Sequence, residues 1–330
     1  MRIPLVGRNS RMSVAIVGSG VVGTATGAGL RAVGHGVVFC DIDPERVRLL
    51  RARGFIAVDC LDLPEEEPDV EAYLLSVPSP TVLGRVDISF VEDAARAVGR
   101  SVGRNRGWPV VVVRSTVPPG TTEDVVIPIL ESASGKRAGV DFGVAANPEF
   151  LRAATAEADF MDPRVIAIGV RDERSELALR RLYGPWRDVP FVATDVRTAE
   201  ALKYVANVYN ATKISFFNEM HRLLAAVGAD PDVAARAVAL GAEGLWNPFY
   251  GTRGGAPFGG VCLPKDTTGF LGFLEEHGLA GLAPILRAAI QVNDEMSEVA
   301  APLDAAASPE RAGEPPVERW RLVGDREATR

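Results

Sequence analysis

The run Val14-Ala15-Ile16-Val17 leads directly into Gly18-Ser19-Gly20-Val21-Val22-Gly23, and this junction constrains the fold more than any other feature of the chain. Four apolar residues closed by glycine read as a buried strand, and the apolar spacing through Leu30 reads as a helix. A strand, a glycine-rich turn and a helix in that order bring backbone against a pyrophosphate. The first glycine permits the tight turn, the second lets the backbone approach a phosphate, and the third lets helix pack on strand. The N–H groups of the first helical turn, at Val21 and Val22, then face the phosphates. A second strand at 37–41 ends in Asp41, eighteen residues after Gly23. A carboxylate there accepts hydrogen bonds from an adenosine ribose and repels a 2′-phosphate, so the cofactor expected is NAD rather than NADP. A flavin, and a glycine turn with no ligand, remain the alternatives.

The alternation continues. Further strands are expected at 72–76, 110–114, 142–145 and 165–168, with helices such as 44–53 and 90–100 between them. This pattern specifies an α/β fold, a Rossmann-type doubly wound parallel sheet with helices on both faces. From about Thr198 only helical spacing is found, at 198–227, 231–240, 266–277 and 282–296, interrupted by a Gly-, Pro- and aromatic-rich loop at 246–260. The long helix at 198–227, with Leu202, Val205, Val208, Tyr209, Phe216, Met220 and Leu223 at helical spacing, suits packing against a partner chain. The organisation expected is a flexible N-terminal extension at 1–12 (with Met12 as an alternative start), a dinucleotide-binding domain at 13–197, a central helical dimerisation domain at 198–300 and a polar tail at 301–330.

Composition removes several function classes. A formal net charge of −7 argues against a nucleic-acid partner. The apolar runs are strand-sized, and residues 1–12 carry no continuous apolar stretch, so neither a membrane span nor a secretory leader is expected, and the location expected is cytoplasmic. Three cysteines without a CxxC spacing fit a reducing compartment and give no metal site. Cys40 and Cys60 read as buried thiols. His35, His221 and His277 sit in no motif and read as surface or helix-end residues. Of 36 basic residues only four are lysines (Lys136, Lys203, Lys213 and Lys265), which leaves 32 arginines. A chain that uses Arg for surface charge retains Lys where proton loss or a narrow site matters.

Four further segments carry chemistry. Arg114-Ser115-Thr116-Val117-Pro118-Pro119-Gly120-Thr121-Thr122 leaves a strand as a hydroxyl-rich turn. Ala146-Asn147-Pro148-Glu149-Phe150-Leu151 does the same and exposes Glu149 as a site acid or a loop acid. Lys203 and Asn207, four apart, share one helical face. Beside Leu202, Val205 and Ala206 the Lys203 amine is either desolvated for proton transfer or extended into water. In Phe258-Gly259-Gly260-Val261-Cys262-Leu263-Pro264-Lys265-Asp266 the glycines let backbone carry Cys262 to a ligand. Pro264 suits a first helical turn, which places Cys262 just before a helix N-terminus. That position, with Lys265 three residues on, favours a thiolate nucleophile, with Asp266 in reach as partner or base.

In fixed order the chain carries GSGVVG, SVPSPT, RSTVPPGTT, ANPEFLR, AEALKYVANVYNATKISFFNE and FGGVCLPKD. Through this series, covering about Ser13 to Met296, it resembles the UDP-glucose/GDP-mannose dehydrogenase family, the nucleotide-sugar 6-dehydrogenases. The resemblance implies an NAD-binding domain, a central dimerising domain, and a four-electron oxidation of a sugar CH2OH to a carboxylate with two NAD reduced, in a biosynthetic pathway such as that of a polysaccharide. It implies Cys262 as nucleophile, Lys203 and Asn207 as oxyanion donors, Asp266 and Thr116 as residues ordering water, and Glu149 in proton transfer and thioester hydrolysis. Gly18, Gly20, Val21, Val22, Gly23, Asp41, Val77, Pro78, Ser115, Thr116 and Lys265 would hold NAD. Glu149, Phe150, Leu151, Arg152, Lys203, Asn207, Phe258 and Gly259 would hold the substrate. Three departures from the family pattern stand out. The family's third, nucleotide-holding domain is missing from the chain. Its arginine sixteen residues before the nucleophile is Trp246, and the acid and glycine after NPEFLR are Ala153 and Ala154. Two other readings stay open: a two-electron dehydrogenase using Lys203, similar to the β-hydroxyacid dehydrogenases, and a non-catalytic NAD-binding paralogue.

Overall fold

Short runs of β-branched and small residues build the first part of the molecule. The computed structural model describes residues 11–59 and 70–300, and the chain divides into two units after Ala206. The first unit opens with β1 (Ser13–Val17), α1 (Val21–Ala32), β2 (Gly36–Asp41), α2 (Pro44–Ala52), β3 (Ile56–Asp59) and β4 (Ala72–Leu75). A two-stranded ribbon, β5 (Thr81–Val82) and β6 (Arg85–Val86), leads to α3 (Ser89–Arg104), β7 (Val110–Val113), a widened turn at Thr122–Val126 and α4 (Ile127–Ser134). Then follow β8 (Gly143–Ala146), α5 (Ala156–Met161), β9 (Ile166–Val170), α6 (Glu173–Leu182), β10 (Phe191–Thr194) and the start of α7 (Val196–Ala226).

Eight strands form one sheet in the order β10-β9-β8-β7-β4-β1-β2-β3. All neighbours are parallel except β8 and β9, so the expected parallel sheet holds as far as β8 and the last two strands run the other way. The reason lies in the connection. β9 runs back beside β8, with Ala146 opposite Gly169 and Ala145 opposite Val170, so the 147–165 segment returns the chain to the end of the sheet it left, although Phe160 of α5 within it packs on Gly29 in the last turn of α1. β3 and β10 were not expected from the sequence, because each is four residues long and ends in a polar residue.

Alternate strand residues feed the two faces. Val14, Ile16, Phe39, Leu74 and Val112 pack with Leu30, Phe160 and Trp186 on one side, and Ala15, Val17, Tyr73, Leu75 and Val111 with Val91, Val98 and Leu130 on the other. Both faces are covered, which is why the strands read as unbroken apolar runs. Each fully buried large side chain contributes about 1.5–3 kcal/mol. Cys40 is buried as expected, while Cys60, residues 1–10 and the tail at 301–330 lie outside the described residues. Met12 is buried at the start of the sheet.

His35 departs from the surface position expected of it. It is 2 % exposed. Nδ1 accepts from Met12 N at 3.1 Å, which leaves Nε2 to donate to Leu182 O at 3.0 Å. It ties three chain segments together as a neutral imidazole, and burial pushes its pKa down. Lys136 is also accounted for structurally, donating to Val102 O and Asn105 O where α3 ends.

The second unit is helical. It contains the remainder of α7, α8 (Pro231–Gly241), α9 (Glu243–Trp246), α10 (Cys262–Glu276) and α11 (Pro284–Ala300). Asp230 caps α8 by accepting from Asp232 N and Val233 N. Leu223, Leu274 and Ala283 form its small core. Glu219, 4 % exposed, accepts from Ile285 N and Leu286 N and closes the start of α11. Helix α10 begins at Cys262, four residues earlier than expected, because Pro264 lies in the first turn, where a missing N–H costs nothing. No helix of the described residues is long and apolar enough to cross a membrane.

Candidate active site

The glycine loop is built as its sequence demands. Gly18 has φ +91°, and its N–H donates to Cys40 O at 2.8 Å. A Cβ at Gly23 would fall 1.9 Å from Gly18 O, so only glycine allows α1 to approach the loop. At Gly20 a Cβ would meet nothing within 4 Å, which leaves that backbone open. Helix α1 has no side-chain cap. Its first-turn N–H groups therefore suit a phosphate. Opposite the loop, Ser76 Oγ is buried without a hydrogen-bond partner among the described residues, and Ser76 O lies 2.7 Å from where a Gly18 Cβ would be.

Asp41 stands at the end of β2, 8 % exposed. Its Oδ2 accepts from Ser19 N at 2.7 Å and Ser19 Oγ at 2.5 Å, and its Oδ1 accepts from Asp43 N at 3.0 Å. A carboxylate offers about four lone-pair sites, so one remains on Oδ1 for a ribose hydroxyl. Arg46, in the first turn of α2, donates from Nη1 to Ser19 O at 3.1 Å. The sequence reading passed over Arg46; the available signal was a cation one turn beyond Asp41. The open backbone at Gly20, the uncapped helix, the orphaned Ser76 hydroxyl and the remaining Asp41 lone pair together fit the adenosine and pyrophosphate of a dinucleotide.

The two hydroxyl-rich turns are stitched to each other. Ser115 Oγ donates to Val77 O at 2.7 Å, and Ser79 Oγ donates to Thr116 O at 2.6 Å. This places Val77, Pro78, Ser115 and Thr116 together at the C-terminal ends of β4 and β7, the edge where an open α/β sheet binds ligands.

The first turns of α7 gather the remaining acidic and basic groups of this unit. Val196 and Ala199 pack on Ala146. Gly169 lets them in: a Cβ there would come within 2.6 Å of Ala199 Cβ. Arg197 pairs with Glu123 at 2.9 Å and Asp124 at 2.8 Å. Glu200, 5 % exposed, accepts from Gly120 N at 2.5 Å and Thr122 N at 2.8 Å, and burial pushes its pKa up. One turn further, Lys203 Nζ meets Glu149 Oε1 at 2.8 Å, with side chains only 12 % and 9 % exposed. Glu149 Oε2 also accepts from Leu151 N at 2.5 Å. Glu149 is therefore a buried, paired acid and not a loop acid, and the Lys203 amine is held in an ion pair instead of extended into water. Sequence reasoning named both residues without pairing them, and it did not see Glu200 or Arg197.

A cavity of about 480 Å³ lies beside this pair. Glu149, Phe150, Leu151 and Arg152 line it. Arg152 is drawn aside by Asp159, at 2.6 Å, and holds that carboxyl well below the usual carboxylate range.

In the second unit Asn207 is exposed at the start of its part of α7. Cys262 is exposed at the first position of α10. Lys265 turns its ammonium onto Asp266, both exposed, so within this unit its charge is directed to that carboxylate. Phe258 is half-buried, and Gly259 is exposed. Among the described residues no group of three or more His, Cys, Asp or Glu is arranged to hold a metal ion.

Comparison with known proteins gives a consistent result. Residues 60–187 match the NAD binding domain of the UDP-glucose/GDP-mannose dehydrogenase family, and residues 197–295 match its central domain. The GDP-mannose 6-dehydrogenase of Azotobacter vinelandii is 36 % identical over 276 residues, 78 % of this chain and 63 % of that protein. The UDP-glucose 6-dehydrogenase of Haloferax volcanii is 33 % identical over 309 residues, 87 % of this chain and 70 % of that one. Among solved structures, the ternary complex of GDP-mannose dehydrogenase from Pseudomonas aeruginosa superposes with a TM-score of 0.78 at 31 % identity, covering 88 % of this chain and 70 % of that one. The chain thus spans about two thirds of the length of the proteins it matches.

Proposed function

The chain belongs to the UDP-glucose/GDP-mannose dehydrogenase family, and on that premise we propose that it oxidises the C6 primary alcohol of a sugar or nucleotide sugar to a carboxylate with NAD. The observation that carries this reading is the buried Lys203–Glu149 ion pair. It sits at the C-terminal edge of a sheet whose glycine loop and Asp41 suit NAD. The relatives' names support a nucleotide sugar as the substrate class.

When bound, NAD would accept one hydride in each of two oxidations, so that alcohol, water and two NAD+ give carboxylate, two NADH and three protons. Gly18, Gly20, Val21, Val22, Gly23, Asp41, Val77, Pro78, Ser115, Thr116 and Lys265 would hold it. Lys203 and Asn207 donate to the substrate oxygen as it gains negative charge, the point at which fixed donors contribute most. Cys262 adds its sulfur to the aldehyde carbon, giving a thiohemiacetal, and loss of the second hydride from that carbon leaves a thioester. Asp266 and Thr116 order the water that cleaves it, and Glu149 takes the proton. Phe150, Leu151, Arg152, Phe258 and Gly259 shape the space around the sugar.

We also propose a homodimer through α7. In the second unit Val208, Tyr209 and Ile214 are 57–63 % exposed on that helix, beside an apolar groove of about 340 Å³ lined by Phe216, Phe217, Val238 and Leu245. Residues 13–197 then serve as the cofactor domain and 198–300 as the dimerising one, in a soluble cytoplasmic enzyme of a biosynthetic pathway.

The test is a panel of UDP-, GDP- and dTDP-hexoses and free sugars assayed for NADH and carboxylate. Two NADH per carboxylate are expected, and Cys262→Ala should abolish carboxylate formation. One NADH per turnover, insensitive to thiol reagents, would refute the four-electron reaction. NAD binding with no turnover across the panel would refute the enzyme.

A further inference from the structure

Arg114 opens the RSTVPPGTT turn, and neither the cofactor nor the proposed chemistry gives it a role. It directly follows β7 at 5 % exposure, and no carboxylate among the described residues pairs with it. Nε donates to Thr26 Oγ1 at 2.9 Å. Nη1 donates to Asn147 Oδ1 at 2.5 Å and Tyr183 Oη at 3.1 Å. Its guanidinium lies 5.6 Å from the centre of the Phe160 ring. All these partners are neutral. A buried cation without a counter-charge is costly, and native chains normally pair it. Nη2 finds no acceptor among the described residues, and Arg114 lines the 480 Å³ cavity under the Asn147–Leu151 loop.

The other charges on that cavity cancel. Arg152 is taken by Asp159, Glu149 is taken by Lys203, and Asp162 and Arg164 contribute one charge of each sign. Arg114 is thus the single uncompensated charge, and one negative charge balances it. Doubly charged phosphate would overshoot and meet Asp162. The remaining wall is formed by rings: Phe160, Tyr183 and Trp186. Phe160 and Trp186 meet edge to face at 5.3 Å. The volume exceeds what a bare carboxylate group fills.

We propose that this cavity binds a small carboxylate carried on a ring, with the carboxylate on Arg114 Nη2 and the ring against Trp186 and Phe160. The proposal does not depend on the dehydrogenase reading, because it concerns binding without NAD or substrate.

The test uses the whole chain without cofactor, titrated with benzoate, glucuronate and inorganic phosphate, and followed by tryptophan fluorescence and melting temperature. Saturable binding of benzoate or glucuronate is expected, with phosphate weaker, and the preferred ring identifies the body of the ligand. Arg114→Met should weaken binding roughly tenfold or more, the loss of one hydrogen bond to a charged group. Ala158→Phe, on the exposed side of α5 at the cavity wall, should block binding while leaving the fold intact, and it serves if Arg114→Met does not fold. No saturable carboxylate binding, carboxylate binding unchanged in both variants, or phosphate binding as tightly would each overturn the proposal.

Discussion

Lys203→Met removes the cation that faces Glu149 and leaves that carboxylate buried with only the Leu151 N–H as a partner. Breaking a buried pair by deleting one member costs about 3–5 kcal/mol, because the surviving charge has lost its counter-charge but not its desolvation. Side chains 12 % and 9 % exposed retain a little solvent, which puts the expectation at the low end, about 3 kcal/mol. For a unit of this size about 1 kcal/mol moves the melting temperature by roughly 2–4 °C, so a fall of roughly 6–12 °C is expected. Adding Glu149→Gln should recover about 1–2 kcal/mol of that loss, since a neutral amide beside Met is no longer an unpaired charge. Urea unfolding followed by circular dichroism on wild type, both single variants and the double variant gives the coupling directly. If the double variant loses the sum of the two singles to within about 0.5 kcal/mol, the pair contributes nothing as a pair, and the argument from burial is wrong.

Three further outcomes follow from other parts of the first unit. Gly20→Ala should leave the melting temperature unchanged, because its Cβ meets nothing, yet weaken NAD binding measured by calorimetry; Gly23→Ala, with its Cβ 1.9 Å from Gly18 O, should fail to give folded protein. Burial holds the His35 pKa below its ordinary 6.5. The folded state thus favours the neutral ring, and the stability it confers is present above pH 6.5 and lost as pH falls through the lowered value; a melting curve from pH 7.5 to 5 should fall more steeply in wild type than in His35→Gln. Glu200→Ala leaves Gly120 N and Thr122 N without their acceptor, costing about 1–3 kcal/mol in urea unfolding; an unchanged midpoint would show that solvent replaces the carboxylate.

The sequence showed what depends on neighbours in the chain. Strand β1, the loop through Gly23 and Asp41 are local: their geometry follows from three glycines and a register of eighteen residues. The helix at 196–226 was legible for the same reason, since its apolar spacing repeats over many turns. What escaped depended on distant partners. Strand β9 reverses direction because the 147–165 segment brings the chain back to the end of the sheet it left, and nothing in the text of those residues states that return. His35 looked like a surface residue because its donor and acceptor lie 23 residues before it and 147 after it. Arg114 looked like the first letter of a turn, and its burial against Thr26, Asn147 and Tyr183 is visible only when β7, β8, α1 and α6 are assembled.

Helix α7 shows how much of a site lies in that second class. Three successive turns hold two segments: Arg197 holds Glu123 and Asp124, Glu200 holds Gly120 and Thr122 of the same segment, and Lys203 holds Glu149. In the sequence these partners belong to two segments separated by more than a strand and a helix. Spacing of three on one helix identifies residues 197, 200 and 203 as one face, but it does not say what that face meets. Because the three contacts share one rigid helix, displacing any of them should be felt at the others. Glu200→Ala is therefore expected to loosen the Lys203–Glu149 pair it does not touch, and the Lys203→Met penalty measured in the Glu200→Ala background should be smaller than in wild type. Equal penalties in the two backgrounds would mean that each loop is held independently, and that α7 is a row of separate contacts with no coupling among them.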